Sequence, residues 1–241
     1  MIKFFRRIRR KMLIQKNIKK YLMYASGEIL LIVIGILIAL QVNSWNESKN
    51  SKEELVNYRK SLREELKSDI KYMNQIDSMN QSYREKIMNY INYYNSPFFK
   101  IDILKSKKDS LNHLIHSFKS STYTVTDLLS TGKLSLFLDH EKKQILVLKN
   151  ELDLAKYYER ERIRILENDF IEQKKHIDLL YEYNYTSLEH QETLGWGENK
   201  SSKQYRLYNN SLADALEFYN FQKESNSILR RKSKELYDLL D

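Results

Sequence analysis

The chain has 241 residues, 30% of them charged, with five glycines, one proline and no cysteine. That length holds one membrane segment and one domain of ordinary size, and the shortage of Gly and Pro points to long helices with few turns. Without cysteine there are no disulfides, no thiolate chemistry and no cysteine zinc site. The net charge of +9 looks like a nucleic-acid signal until it is located. Nine of the 41 Lys and Arg lie in residues 1–20, which contain no acid, so residues 21–241 carry 32 basic against 32 acidic side chains. A neutral domain lacks the basic face that nucleic-acid binding needs, so no nucleic-acid partner is expected.

Met1–Lys20 places Ile2, Phe5, Ile8 and Met12 at helical spacing, with Arg6, Arg7, Arg9, Arg10 and Lys11 among them. Such a segment lies on the inner membrane surface, apolar side in the acyl boundary and basic side on anionic headgroups. The alternative is a disordered basic stretch that only sets topology. Next, Tyr21–Trp45 reads YLMYASGEILLIVIGILIALQVNSW, and its centre, Ile29–Leu40, has no polar side chain. At about 1.5 Å per residue the segment spans roughly 37 Å, enough to cross a hydrocarbon core of about 30 Å. Tyr21, Tyr24 and Trp45 sit where interfacial aromatic belts belong. The expectation is one transmembrane helix at 21–45, an uncleaved signal anchor because no small-x-small cleavage site follows the apolar run. The positive-inside rule then keeps residues 1–20 in the cytoplasm and sends 46–241 across, so the lipid bilayer is the first expected partner.

Glu28 is the anomaly in this helix. It either snorkels to the headgroups or bonds to Tyr24 nearby, or it belongs to an oligomer face. At about 100° per residue, Glu28, Gly35, Ala39 and Asn46 fall within about 20° of one line. Gly35-x-x-x-Ala39 is a small-xxx-small pattern that lets two helices approach closely, which suits a homo-oligomer.

IKFFRRIRR followed by YLMYASGEILLIVIGILIALQVNSWNE resembles the start of an uncharacterised family of bacterial single-pass membrane proteins, and Leu128–Leu136, LLSTGKLSL, is similar to a second, weaker feature of it. The resemblance implies an inner-membrane protein with a helical periplasmic domain. It implies no activity.

Beyond the membrane, Glu47–Tyr94 reads as one helix with an apolar stripe through Leu55, Leu62, Leu66, Ile70, Met73, Ile76, Tyr83, Ile87 and Ile91. Pro97 closes it. A turn and a helix around Ser110–Phe118 are expected next, then extended chain at Thr122–Val125, a short helix from about Thr126, and a left-handed Gly132. Asp139 is the expected N-cap of a helix over 139–183 whose core face includes Ile145, Leu148, Leu152, Ala155, Tyr158, Ile165, Phe170, Ile177 and Leu180. Glu159, Arg160, Glu161, Arg162 and Arg164 read as a solvated charged face. Residues 184–205 look loop-like, with Trp196 between two glycines, either touching a partner or folding back on the bundle. A last helix runs from about Tyr208 to Leu240. The fold class is therefore all-α: a transmembrane helix continuing into an elongated antiparallel bundle at 46–241.

Chemistry is thin. His113 and His116 are the only histidine pair at a one-face helical spacing, and no third metal ligand is specified nearby. No phosphate loop, nucleophile elbow or HExxH helix occurs, and no cofactor is expected. The leading expectation is a non-enzymatic, self-associating membrane scaffold that engages another membrane or periplasmic protein. The alternatives are a periplasmic sensor signalling through the membrane helix and an ion-conducting oligomer using Glu28.

Overall fold

The structure is a computed structural model that describes residues 18–111, 115–177 and 196–241. Five α-helices and no strands occur among them: α1 (Ile18–Tyr94), α2 (Ile101–Asp109), α3 (Tyr123–Ser130), α4 (Asp139–Lys174) and α5 (Lys203–Leu239). The chain divides into two compact units, Met1–Asn57 and Tyr58–Asp241.

In the first unit the described residues are all α1. The helix runs uninterrupted through Gly27 and Gly35, at a cost of about 1 kcal/mol each relative to alanine. Its apolar residues are exposed around the whole circumference, Ile29, Leu37 and Leu40 by 63%, 58% and 61%. Asn43 donates to Glu47 one turn on, at 2.8 Å. This is the one helix among the described residues long and apolar enough to cross a membrane.

The second unit is a helical bundle, as the composition implies. On α1 the buried residues are Leu62, Leu66, Asp69, Met73, Ile76, Asn80, Ile87 and Tyr90. With half-buried Tyr83 they alternate spacings of four and three, the repeat of a coiled-coil seam. α5 shows the same repeat from Tyr205 through Leu212, Tyr219, Gln222, Asn226 and Leu229 to Leu236. Tyr90 pairs with Asn209 (2.9 Å), Asn80 with Gln222, and Arg63 with Asp241 (2.7 Å), so α1 and α5 are antiparallel. α4 runs parallel to α1. Its first turn meets Arg59 through Glu141 (2.7 Å), and Glu159, five turns on, receives a hydrogen bond from Gln222, the partner of Asn80. Parallel neighbours force the connection 95–138 to run back along the bundle.

That connection departs from the sequence expectations. The helix lies at Ile101–Asp109, where Leu104 is fully buried, and Ser110–Phe118 is not helical among its described residues. α3 begins at Tyr123, inside the segment expected to be extended, because the Glu65 carboxylate on α1 accepts the Thr124 N–H (3.2 Å) and Oγ1 (2.9 Å). This cap borrowed from another helix outweighs the β-branched propensity of Thr122–Val125. Gly132 takes the expected left-handed backbone, φ 73°.

Three boundaries move as well. Leu138, not Asp139, is the N-cap of α4: Glu141 reaches back to its N–H at 2.8 Å, while Asp139 is an exposed first-turn acid paired with Lys142. α4 ends at Lys174 rather than 183, residues 178–183 lying outside the described chain. α5 begins at Lys203, five residues early, because Ser202 Oγ accepts the Tyr205 N–H (3.2 Å). On α4, Tyr158, Ile165 and Phe170 are exposed, whereas Ile163 and Leu166 pack against the core. The expected face drifted off the heptad line that Glu141, Ile145, Leu148, Leu152, Ala155 and Glu159 set. Leu180 lies outside the described residues.

Candidate functional site

The first unit carries the sequence-proposed oligomer face. Glu28, Gly35 and Ala39 all lie on the continuous helix, Glu28 half-buried and the other two exposed. A Cβ built on Gly35 meets nothing of this chain within 4 Å. Arg6, Arg7, Arg9, Arg10 and Lys11 lie outside the described residues.

In the second unit the polar groups concentrate on a strap, residues 115–122, which has no regular secondary structure. An extended segment laid on a bundle must find partners for its backbone, and here the helices supply them as side chains. The Ser121 N–H and Oγ and the Ser120 Oγ all donate to Asp69 of α1, at 2.7, 2.7 and 2.5 Å. Gln222 of α5 donates to the His116 carbonyl (2.5 Å) and to Glu159 (2.9 Å), and Glu159 also accepts the Phe118 N–H (3.4 Å). Asn80 donates to Gln222, closing a polar layer that joins all three long helices to the strap. Three residues on from Asn80, the ring of Tyr83 lies 6.0 Å from His116 and 6.4 Å from Tyr219. Asn226 and Arg230 hold Asp77 just below the layer. Burial is the leading influence on both strap-facing glutamates and pushes Glu159 and Glu65 above the ordinary carboxyl range, against the hydrogen bonds they accept.

Between the strap, α4 and α5 lies a cleft of about 500 Å³. Phe118, Leu152, Ile163, Phe221 and Leu229 form its apolar walls, and Glu159, Gln222 and Asn226 its polar floor. Lys119 enters from the strap and Lys149, Lys156 and Arg160 from α4. Glu159 is thus turned inward, contrary to the solvated face expected for it, whereas Glu161 and Arg164 of that run do form an exposed pair at 2.7 Å.

Comparison with protein families decides the chain's affiliation: the model of a family of unknown function, DUF6090, matches residues 28–187. The chain belongs to that family. No curated protein and no solved structure matches it. The DUF6090 match begins at Glu28, takes in the strap and α4, and stops before α5, although α5 contributes Gln222 to the polar layer and Asn226 just below it.

Outside the DUF6090 match, Trp196 is 7% exposed, with its ring 5.1 Å from Tyr205 and Lys108 Nζ 4.5 Å from its centroid. His113 lies outside the described residues, and the non-helical chain at His116 removes the one-face geometry on which a histidine pair depended. Among the described residues no three metal-ligating side chains come together. Sequence reasoning missed Asp69, Asn80, Glu159, Gln222 and Asn226 as a set. Their signal was available: each is a polar residue on a strict four-three ladder of apolar ones.

Proposed function

We propose that this DUF6090 member is a single-pass inner-membrane protein that self-associates through its membrane helix and presents its helical bundle as a non-enzymatic scaffold. Residues 1–20 stay on the cytoplasmic surface, 21–45 span, and 46–241 form the periplasmic domain. The observation that carries this reading is the apolar stretch of α1, exposed on every side and uninterrupted by the bundle-type polar residues seen further along the helix. A surface of that kind is stable in lipid or against another apolar helix, and not in water. The line through Glu28, Gly35 and Ala39 is the closest-approach face, where a glutamate bonds across a seam that small residues make narrow.

The missing cysteines make the test direct. Asn46→Cys is in phase with Glu28, Gly35 and Ala39, and Ser44→Cys is on the opposite side. Oxidation of native membranes is expected to give disulfide dimers at Asn46→Cys only, and fewer of them when Glu28→Ala is added. Equal cross-linking at both positions, or none, removes the seam. A second reading, a periplasmic sensor, is favoured by the cleft, whose walls include a strap fastened by side chains rather than by a ladder.

A further inference from the structure

We propose that the cleft between the strap, α4 and α5 is a binding site for a small amphipathic anion, with an apolar body against Phe118, Leu152 and Phe221 and a carboxylate or phosphate at Lys119, Lys156 and Arg160. The inference goes beyond the scaffold reading and is independent of the membrane face.

Three observations converge on it. The first is size: about 500 Å³ fits a small molecule, within the ~300–1,000 Å³ of ordinary ligand sites, and is too small for a packed helix. The second is charge. Residues 21–241 balance to neutrality, yet this cleft is lined by four cations and two acids. Both acids are already engaged, Asp153 with Lys149 at 2.5 Å and Glu159 with Gln222 and the Phe118 N–H on the floor. No carboxylate of the described residues pairs with Lys119, Lys156 or Arg160. Lys156 and Arg160 stand one turn apart on α4, and Lys119 faces the same space from the strap. A lone surface lysine is ordinary; three cations from two elements around one apolar cleft form a complementary field for a negative group.

The third is the wall itself. Apolar side chains stand behind the cations, so a hydrated inorganic anion would leave them unfilled, whereas an anion with a hydrocarbon or aromatic body covers them. Because Ser117–Ser120 and Thr122 form one wall, an occupant bridging Lys119 and α4 fastens the strap to the bundle. Ligand binding is therefore read out as protection of the strap's own amides, those of Phe118 and Ser121.

The experiment uses the full chain in phosphatidylcholine nanodiscs and follows hydrogen exchange of the strap under titration with octanoate, octanol or inorganic phosphate. Octanoate is expected to slow strap exchange saturably, with octanol and phosphate ineffective over the same range. The double variant K156Q/R160Q, both positions exposed, is expected to weaken the octanoate effect roughly tenfold or more, and Lys143→Gln, a cation elsewhere on α4, to leave it unchanged. Ala155→Leu, which fills the cleft and keeps every cation, is expected to abolish it. Protection in phosphatidylglycerol nanodiscs without octanoate, lost in K156Q/R160Q, would identify a lipid as the source of the same chemistry. Octanol matching octanoate, phosphate alone sufficing, an unaltered response in K156Q/R160Q, or protection that depends only on protein concentration would each overturn the proposal.

Discussion

One helix carries two opposite solutions to burial. Between Leu22 and Trp45, α1 is apolar and exposed; between Leu62 and Tyr90 it is largely charged and polar, yet its inner line is buried and holds Asp69 and Asn80. Hydrophobicity alone would have reversed the two. The difference teaches that an apolar stretch with no bundle partner among the described residues of its own unit has to be covered by something else, whereas a polar residue on a four-three ladder announces a second structural element lying across the seam.

The largest expected effect separates the two stretches directly. Leu66→Ala removes a fully buried side chain and is expected to cost about 3 kcal/mol in urea unfolding of the bundle, while Leu37→Ala, 58% exposed, leaves that transition in place. Equal effects would erase the distinction. Asp69→Ala comes next. It removes the acceptor for three strap hydrogen bonds and is expected to cost ~2 kcal/mol, with faster exchange at Ser121 before any loss of helix signal.

A smaller effect depends on pH. Burial, and then the neighbouring Asp214 carboxyl, raise Asp169 to about 6. Its folded form holds a proton that the unfolded chain has released, so stability falls as pH rises from the ordinary aspartate range through about 6. Asp169→Asn is expected to raise the melting temperature at pH 8 and to change it little at pH 4; the reverse order would show that the pair is not the cause. Least of all, Arg164→Ala breaks only an exposed pair and should shift stability by at most ~0.5 kcal/mol.

Much of this fold is legible in the sequence because long helices announce themselves by period. The stripe of α1, the stop near Pro97, the left-handed Gly132 and the all-α class all follow from local signals. The connection 95–138 does not. Its helix begins at Tyr123 because Glu65, 59 residues away in sequence, supplies the cap, and its strap is extended because Asp69, Glu159 and Gln222 take its backbone groups. Tertiary partners decide conformation there, and a single segment read alone cannot name them. The cleft was hidden for the same reason: Lys119 and Arg160 become neighbours only once the strap has doubled back.

The strap's dependence on side chains also fixes when it can form. A helix makes most of its hydrogen bonds locally, but the strap's acceptors and donors sit on α1, α4 and α5, up to 106 residues away. Those groups converge only after the three helices have docked, so the strap has no stable conformation to adopt beforehand. It is expected to fold late, because closing loops of that length before any contact rewards them costs entropy that a local helix does not lose. Protection of the Ser121 amide therefore serves as a clock for completion of the bundle, appearing after the helical signal and vanishing first when the domain begins to come apart.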